Sequence, residues 1–163
     1  MSIGKFLGGV GVMIYNPQNN TYLMLQRAST KDASPNKWEC VTGRVDQGEG
    51  FETAALREVS EEIGVAVQLD MLIGTTHFYR GEAIPENELI GVFYGARLKD
   101  PSIPIRISEE HSQYRWMTPQ EIADMFSDKA HRWLIHLTQR DQIMRQLLPQ
   151  ALIDVYHQQG FEI

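Results

Sequence analysis

Apolar residues occur in short runs separated by polar turns over much of the chain, and they recur at helical spacing near the middle and over the last third. Short runs bounded by turn residues predict strands. The predicted strands cover residues 6–15, 22–26, 38–41, 66–78 (as one or two strands), 89–98 and a short aromatic segment ending at residue 117. Residues 16–20 read NPQNN, a turn sequence, so the first two strands are expected to form a hairpin.

The helical predictions rest on periodicity and on capping residues. Residues 53–63 contain neither proline nor glycine, and Gly64 follows them, as is common just past a helix end. A second helix is expected to begin at residues 118–121, where the sequence TPQE offers a threonine cap and a first-turn proline. Two C-terminal helices follow, from about residue 129 to the break at Pro149 and again over residues 151–157. The apolar stripe of the first helix should face the core and consists of Ala55, Leu56, Val59 and Ile63.

Length and composition indicate one globular domain over residues 1–163. Apolar residues make up 42% of the chain, which is ordinary for a globular protein. Strands and helices that share one core predict an α/β fold, with a mixed sheet between helical layers. Cys40 is the single cysteine, so no intrachain disulfide can form, and we expect its side chain in the core.

Charge and hydropathy narrow the possible surroundings and partners of the protein. The net charge of −6 argues against general binding to nucleic-acid backbones, because such binding depends on a basic surface. No apolar run approaches 18 residues and no signal peptide is evident, so we expect a cytoplasmic protein without membrane contact. The C-terminal helices are expected either to cover the sheet or to form a homodimer contact.

The candidate chemistry lies on the predicted middle helix. Glu58, Glu61 and Glu62 have the spacing i, i+3 and i+4, which brings three carboxylates to one face. Each like-charged pair on a helix costs roughly 0.2–0.5 kcal/mol, and a cation among the carboxylates would reverse the sign. Clustered carboxylate oxygens suit a hard ion such as Mg²⁺ or Mn²⁺. The alternative is a solvated acidic face on which Arg57 makes local ion pairs.

The residues around these carboxylates carry a family resemblance. They fit G-x5-E-x7-R-E-U-x-E-E-x-G-U, where U is a bulky apolar residue, through Gly43, Glu49, Arg57, Glu58, Val59, Glu61, Glu62, Gly64 and Val65. This pattern resembles the Nudix box of the Nudix hydrolases. The resemblance implies an α/β/α sandwich with a mixed sheet, to which this chain adds C-terminal helices. It also implies hydrolysis of a nucleoside diphosphate linked to another moiety, with Mg²⁺ or Mn²⁺ as cofactor.

The resemblance also implies roles for individual residues. Metal binding falls to Glu58, Glu61 and Glu62, and the carbonyl oxygen of Gly43 is a further candidate ligand. Glu61 is also a candidate general base. Arg57 is assigned to the catalytic group as the residue that positions a box glutamate. Glu49 is expected to brace the loop and the helix rather than to touch the metal.

Two further segments resemble the dihydroneopterin triphosphate pyrophosphohydrolase branch of the family. They are the Val-Thr-Gly sequence at residues 41–43 and the EHSQYRW sequence at residues 110–116. The second segment makes Glu110 a candidate metal ligand or general base, with Glu109 as its competitor and a solvated acidic loop as the alternative. His111 is expected to be an ordinary loop histidine, because hard ions prefer oxygen ligands.

The substrate is expected to be a small nucleotide-like diphosphate or triphosphate. Arg27, Arg44 and Tyr79 are the candidate substrate contacts. The first begins a polar loop at residues 28–37, and such loops often carry function. One alternative is a non-catalytic Nudix-fold module that binds a nucleotide or a protein and serves as a sensor. Another is an RNA-end-processing enzyme, against which the acidic charge counts.

Overall fold

The protein is described by a computed structural model over residues 4–31 and 34–163. Residues 32 and 33 of the predicted polar loop, and residues 1–3 of the predicted domain, lie outside the described residues. The strands are β1 (Leu7–Asn16), β2 (Thr21–Arg27), β3 (Trp38–Glu39), β4 (Val41–Arg44), β5 (Val67–Tyr79), β6 (Glu88–Leu98) and β7 (His111–Met117). The helices are α1 (Phe51–Ile63), α2 (Pro119–Met125), α3 (Arg132–Leu147) and α4 (Gln150–Gln159), with a 3₁₀ turn at Pro85–Asn87.

Across the described residues the strands form one mixed sheet with two parts. In the four-strand part, the order is β4-β1-β6-β5, with β1 and β6 parallel and the other neighbours antiparallel. In the three-strand part, β2 lies between β3 and β7. The parts join where Tyr15 of β1 pairs with Tyr22 of β2, at the predicted hairpin. The α/β class with a mixed sheet is confirmed, and β6 lies between β1 and β5.

The prediction of a single strand over residues 38–41 is wrong, because two strands occupy this region. The chain bends at Cys40, so β3 pairs with β2 while β4 pairs with β1 in the other part of the sheet. Local pattern could not show this, because the two segments adjoin Cys40 without a turn sequence between them and only long-range pairing separates them. The bend brings Glu39 close to Thr42, whose hydroxyl donates to the Glu39 carboxylate at 3.2 Å.

Helix α1 covers one face of the sheet. Ala55, Val59 and Ile63 are buried as predicted, but Leu56 is 40% exposed and Ala54 is buried in its place. At about 100° per residue, Leu56 falls just beyond the buried arc. The helix ends at Gly64, which adopts the left-handed conformation with φ 67°. The core on this side also includes Val10, Val12, Ile14, Leu23, Leu25, Val41, Leu69 and Tyr94.

Helices α2 and α3 cover the opposite face. Thr118 and Glu121 form the capping box at the start of α2, which confirms the predicted helix start. Cys40 is buried in this second core as predicted, and Trp38 is buried beside it. The core on this side also includes Met13, Tyr22, Met24, Met71, Ile73, Met117, Ile122, Phe126, Leu134 and Leu137.

The C-terminal segment returns from α4 to the start of α1. The carboxylate of Glu162 accepts a hydrogen bond from the backbone N–H of Glu52 at 3.2 Å. Gly50, the N-cap of α1, offers no side chain, so Glu162 supplies the negative charge that a helix N-terminus favours. In the described part of the chain, every helix is too short or too polar to cross a membrane.

Candidate active site

The guanidinium of Arg57 holds the acidic face of α1 together. Its Nε donates to Glu49 Oε1 at 2.8 Å, and its Nη1 donates to Glu58 Oε1 at 3.0 Å and to Glu61 Oε2 at 3.3 Å. Its Nη2 reaches the backbone carbonyl of Arg44 at 2.9 Å. The hydrogen bond from Arg57 lowers the pKa of Glu49 to about 2. The structure therefore places Arg57 and Glu49 as a brace between α1 and the loop before it.

Glu58 faces strand β4. Its Oε1 accepts a hydrogen bond from the backbone N–H of Arg44 at 3.1 Å. Burial raises its pKa, although Arg57 acts in the opposite direction. A Cβ atom at Gly43 would collide with the Glu58 carboxyl group, so only glycine leaves room for that side chain. This contact brings Gly43 of β4 close to the carboxylates.

Glu61 and Glu62 differ sharply in exposure. The side chain of Glu61 is 61% exposed and lies at the rim of the site. Glu62 is 5% exposed, and its Oε2 has no hydrogen-bond partner among the described residues. Burial, followed by the negative charges of Glu39, Glu58 and Glu110, raises the pKa of Glu62 to about 9. A buried carboxyl oxygen without a partner is costly, and a cation beside it would remove much of that cost.

Two residues beside Glu62 come from distant strands. Glu39 Oε1 lies 2.9 Å from Arg27 Nη1 and 3.1 Å from His111 Nε2. His111 is 5% exposed and its Nε2 lies 3.8 Å from Glu62 Oε2. The expectation of an ordinary loop histidine is therefore wrong. His111 is the first residue of β7 and pairs with Arg27 across the sheet, which turns its ring inward.

Sequence reasoning missed Glu39 altogether. The available signal was its position, since it is a charged residue between Trp38 and Cys40 in an otherwise apolar stretch. A charged residue in such a strand must have a partner or a function.

The loop before β7 lies near the carboxylates but directs Glu110 elsewhere. Glu110 Oε1 pairs with Lys31 Nζ at 2.9 Å, and this hydrogen bond lowers the pKa of Glu110. Its backbone carbonyl accepts from Ala28 N–H at 2.8 Å, which ties the two loops together. Glu109 is exposed. The structure thus brings Glu110 within electrostatic range of Glu62, with its carboxylate paired to a lysine.

The three candidate substrate contacts are spread along the sheet. Arg27 pairs with Glu39 beside the carboxylates. Arg44 ends β4 and touches Glu58 and Arg57 through its backbone. Tyr79 ends β5, the strand at the far edge of the four-strand part, so it does not join the carboxylate group.

The oxygen atoms around α1 fit a hard cation by their chemistry. Within residues 4–31 and 34–163, no three His, Cys, Asp or Glu side chains are already arranged to hold a metal ion. Arg57 accounts for this, because it holds Glu58 and Glu61 as ion-pair partners. The unpartnered Oε2 of Glu62 is the observation that favours a cation.

A cavity of about 360 Å³ lies at the other end of the sheet. Its lining includes Tyr15, Gln68, Arg97 and Lys99, and none of the predicted site residues. The residues that line the cavity include no cluster of carboxylates, so the chemistry points to α1 rather than to this cavity.

Comparison with known proteins gives a family assignment. A model of the NUDIX domain matches residues 5–138. The RNA pyrophosphohydrolase of Novosphingobium aromaticivorans is 30% identical over 145 residues, which cover 77% of this chain and 88% of that protein. The asymmetrical bis(5'-nucleosyl)-tetraphosphatase of Mus musculus is 34% identical over 89 residues, which cover 54% of this chain and 60% of that protein.

Solved structures agree on the fold. The MutT protein from Methanosarcina mazei matches with a TM-score of 0.70 over 89% of this chain and 99% of that chain, at 22% identity. A likeness at that identity shows a shared fold and says nothing of the substrate.

Proposed function

The chain belongs to the NUDIX family of hydrolases, and from that premise we propose that it is a metal-dependent pyrophosphohydrolase. It cleaves a phosphoanhydride in a nucleoside or pterin triphosphate, or in another nucleoside diphosphate derivative, by attack of water at phosphorus. The observation that carries the proposal is Glu62, a buried carboxyl with one unpartnered oxygen beside two other glutamates of α1. A cation beside this oxygen would offset the cost of burying it without a hydrogen-bond partner.

The proposed ligands are the carboxylates of Glu58, Glu61 and Glu62 and the carbonyl oxygen of Gly43. Mg²⁺ or Mn²⁺ held there would neutralise the phosphate oxygens and lower the pKa of the attacking water. Glu61, at the exposed rim, is the proposed acceptor of the proton of that water. Glu110 would take this role only if its carboxylate left Lys31.

Arg57 acts as a positioning residue in this scheme. Its ion pairs with Glu49, Glu58 and Glu61 fix the carboxylates in the free protein. With a cation bound, Glu58 and Glu61 would serve as its ligands, and Arg57 would be held by Glu49 and by the Arg44 carbonyl. Arg27 and Arg44 are the proposed contacts to the substrate phosphates, as cations suited to that role.

The substrate class is proposed from two kinds of similarity. The segments at residues 41–43 and 110–116 support dihydroneopterin triphosphate or a nucleoside triphosphate. The relatives named above are called an RNA pyrophosphohydrolase and a dinucleoside tetraphosphatase. Dihydroneopterin triphosphate, nucleoside triphosphates and dinucleoside tetraphosphates all contain a chain of at least three phosphates, and we propose that the site accepts such a chain.

A second candidate function is removal of pyrophosphate from the 5' end of RNA. The similarity to the relative from Novosphingobium over 88% of its length favours it. The net charge of −6 counts against it, because RNA binding gains affinity from a basic surface.

The test is a hydrolysis panel of dihydroneopterin triphosphate, nucleoside triphosphates, a dinucleoside tetraphosphate, ADP-ribose and 5'-triphosphorylated RNA, with Mg²⁺ or Mn²⁺. We expect turnover of a small triphosphate, and a fall of roughly a hundredfold or more in kcat for Glu61→Gln. Glu86→Gln, at an exposed glutamate of the 3₁₀ turn, is the matched control. Full activity in Glu61→Gln would overturn its assigned role, and binding without hydrolysis across the panel would favour a non-catalytic module.

A further inference from the structure

The cavity of about 360 Å³ at the other end of the sheet has no part in the proposed hydrolysis. A smaller cavity of about 170 Å³ shares Asn16, Leu98 and Pro101 with it as lining residues, and we call the two together the distal groove. Gly43 of the candidate active site pairs with Val10 of β1. Asn16 lies six residues further along β1, roughly 20 Å away at the rise of an extended strand. The distal groove is therefore separate from the α1 carboxylates.

The lining of the distal groove is basic, although the protein as a whole is acidic. Arg97 and Lys99 line the larger cavity, and none of the described residues that line either cavity is Asp or Glu. Asp100, next to Lys99, is bonded within its own turn, where its Oδ1 accepts from the N–H of Ser102 at 2.9 Å and from its hydroxyl at 2.6 Å. Lys99 forms no ion pair with a carboxylate in the part of the chain that the structure describes. On a chain of net charge −6, two cations without an acidic neighbour in the lining favour an anionic ligand.

A buried carboxylate holds Arg97 in a fixed orientation. Its Nε donates to Asp70 Oδ2 at 2.8 Å, and its Nη2 donates to Asp70 Oδ1 at 3.0 Å. This pair occupies one edge of the guanidinium, and Nη1 makes no hydrogen bond within the described residues. Asp70 also accepts from Arg145 Nη1 at 2.9 Å, so Arg97 is not its only cationic partner. Arg97 is 39% exposed and therefore keeps donors for a ligand without having to leave Asp70.

The other walls of the distal groove are largely apolar and aromatic. Tyr15, Leu98 and Pro101 line the larger cavity together with the two cations. The smaller cavity adds Ile103, Pro104, Ile105, Tyr114 and Trp116. A pocket of about 300–1,000 Å³ that combines apolar walls with a few charged groups is typical of small-molecule sites. The distal groove thus offers a cationic end for an anion and an apolar surface for the body of the same ligand.

We propose that the distal groove binds a small phosphate monoester of a planar ring compound, such as a nucleoside monophosphate. A phosphate monoester carries a charge between −1 and −2 at neutral pH, which matches Arg97 and Lys99. Its oxygens accept from the free Nη1 of Arg97 and from the Lys99 ammonium, while the ring packs on the apolar walls. Since the described lining contains no carboxylate to hold a metal, this binding needs no divalent cation.

The direct test is isothermal titration calorimetry of the whole chain in EDTA, with AMP and phenyl phosphate as ligands and adenosine as the uncharged counterpart of AMP. EDTA removes divalent cations, so the α1 carboxylates repel a phosphate at the candidate active site. Both phosphate monoesters should bind, and adenosine should bind at least tenfold more weakly than AMP. Lys99→Gln should weaken AMP binding roughly five- to tenfold and change adenosine binding by less than about twofold. Lys129→Gln, at an exposed lysine between α2 and α3, is the matched control and should change neither affinity.

Arg44→Gln shows at which site AMP binds. It removes a proposed substrate contact beside α1, so AMP binding in EDTA should stay within about twofold of the wild-type value. A loss in Arg44→Gln as large as in Lys99→Gln would place AMP at the candidate active site and overturn the proposal. It would also be overturned if neither monoester bound, if inorganic phosphate bound as tightly as AMP, or if Lys99→Gln left the AMP affinity unchanged. Because every titration is done without Mg²⁺, its result does not depend on whether the protein hydrolyses any substrate.

Discussion

Glu62 is the residue on which the electrostatics of the site depend. Its carboxyl group is 5% exposed, with one unpartnered oxygen and acidic neighbours, and burying such a group costs free energy. A helix without a function would gain stability by replacing it. The neighbours on α1 are paired with Arg57, but Glu62 is not. The arginine therefore balances only part of the negative charge, and the remainder is the physical reason to expect a cation.

Position 43 must be glycine because the Glu58 carboxyl group occupies the space that a side chain would need. A methyl group in Gly43→Ala would overlap the Glu58 carboxyl group and displace it from the Arg44 N–H. We expect kcat to fall by roughly a hundredfold, since small displacements of catalytic groups have effects of that size. The loss of one hydrogen bond should cost only about 1 kcal/mol of stability. Steady-state kinetics and thermal unfolding of the same variant check both expectations.

Gly4→Ala is the control for that variant, because a Cβ at Gly4 meets no atom within 4 Å. It should match the wild-type protein in both measurements. An active Gly43→Ala enzyme would mean that Glu58 need not occupy the position seen here.

The acidic group could be predicted from sequence only where its members are close along the chain. The i, i+3, i+4 spacing was enough to bring Glu58, Glu61 and Glu62 to one helix face. Glu39 and His111 join them through pairing of β2 with β3 and β7, and such register is set by long-range contacts. Leu56 is exposed although the sequence predicts it in the core, because a helical stripe gives the direction of the buried face but not its width.

The existence and type of most elements were predictable from sequence, as was the hairpin of β1 with β2, but the pairing of strands that are distant along the chain was not. The helix start at residue 53 was two residues late, since α1 begins at Phe51. The contact that favours the earlier start comes from Glu162, 110 residues away, and no local capping signal is present. The bend at Cys40 was hidden for the same reason, because the two halves of that segment pair with different strands.

Asp70 joins β5 to three other elements. Its carboxylate is fully buried and accepts from Arg97 at 2.8 Å and Arg145 at 2.9 Å, and it lies 2.9 Å from His157 Nε2. Burial acts to raise its pKa, but the hydrogen bonds from Arg97 and Arg145 outweigh it, and the pKa is lowered. A lowered carboxyl pKa means that this stability is present at neutral pH and is lost as the pH falls through the folded-state pKa.

Asp70→Asn should therefore destabilise the protein by about 3 kcal/mol, because Arg145 loses an anionic partner in a buried network. That corresponds to a fall in Tm of roughly 6–12 °C at neutral pH. The difference between variant and wild type should shrink in acid, where Asp70 is protonated in both folded and unfolded chains.

Differential scanning calorimetry at neutral and acidic pH measures this. Asp154→Asn is the control, since Asp154 accepts a hydrogen bond from Gln150 on the exposed side of α4. It should change Tm by only a degree or two. A stable Asp70→Asn protein would show that α3 and α4 are held by apolar packing alone.

At the scale of the whole molecule, the negative charge is divided unevenly. The chain carries a net charge of −6, and part of it is concentrated around Glu62, where Glu39, Glu58 and Glu110 are near enough to raise the pKa of that carboxyl. This group would repel a phosphate chain unless a cation lay between them. We therefore expect the proposed substrate to bind as its metal complex.

The pKa of Glu62 makes the stability of the whole protein depend on Mg²⁺ and pH together. The folded-state pKa of about 9 lies above the ordinary value of 4.5. The protonated carboxyl thus contributes stability that is fully present below pH 4.5 and is lost as the pH rises through 9. Mg²⁺ must displace that proton, so its affinity should rise roughly tenfold per pH unit across this window.

We therefore expect Mg²⁺ to raise Tm more at pH 8.5 than at pH 6.5, and its binding to release about one proton in calorimetry with buffers of different ionisation enthalpy. Glu62→Gln should abolish the proton release and most of the Mg²⁺ response, and should flatten the fall in metal-free Tm between these pH values. Glu86→Gln should behave like the wild-type protein, because Glu86 is exposed in the 3₁₀ turn. An Mg²⁺ response that is independent of pH and survives in Glu62→Gln would place the cation away from this carboxyl. The three α1 glutamates would then be a solvated acidic face, since the only buried, unpartnered oxygen among them would have no role in binding.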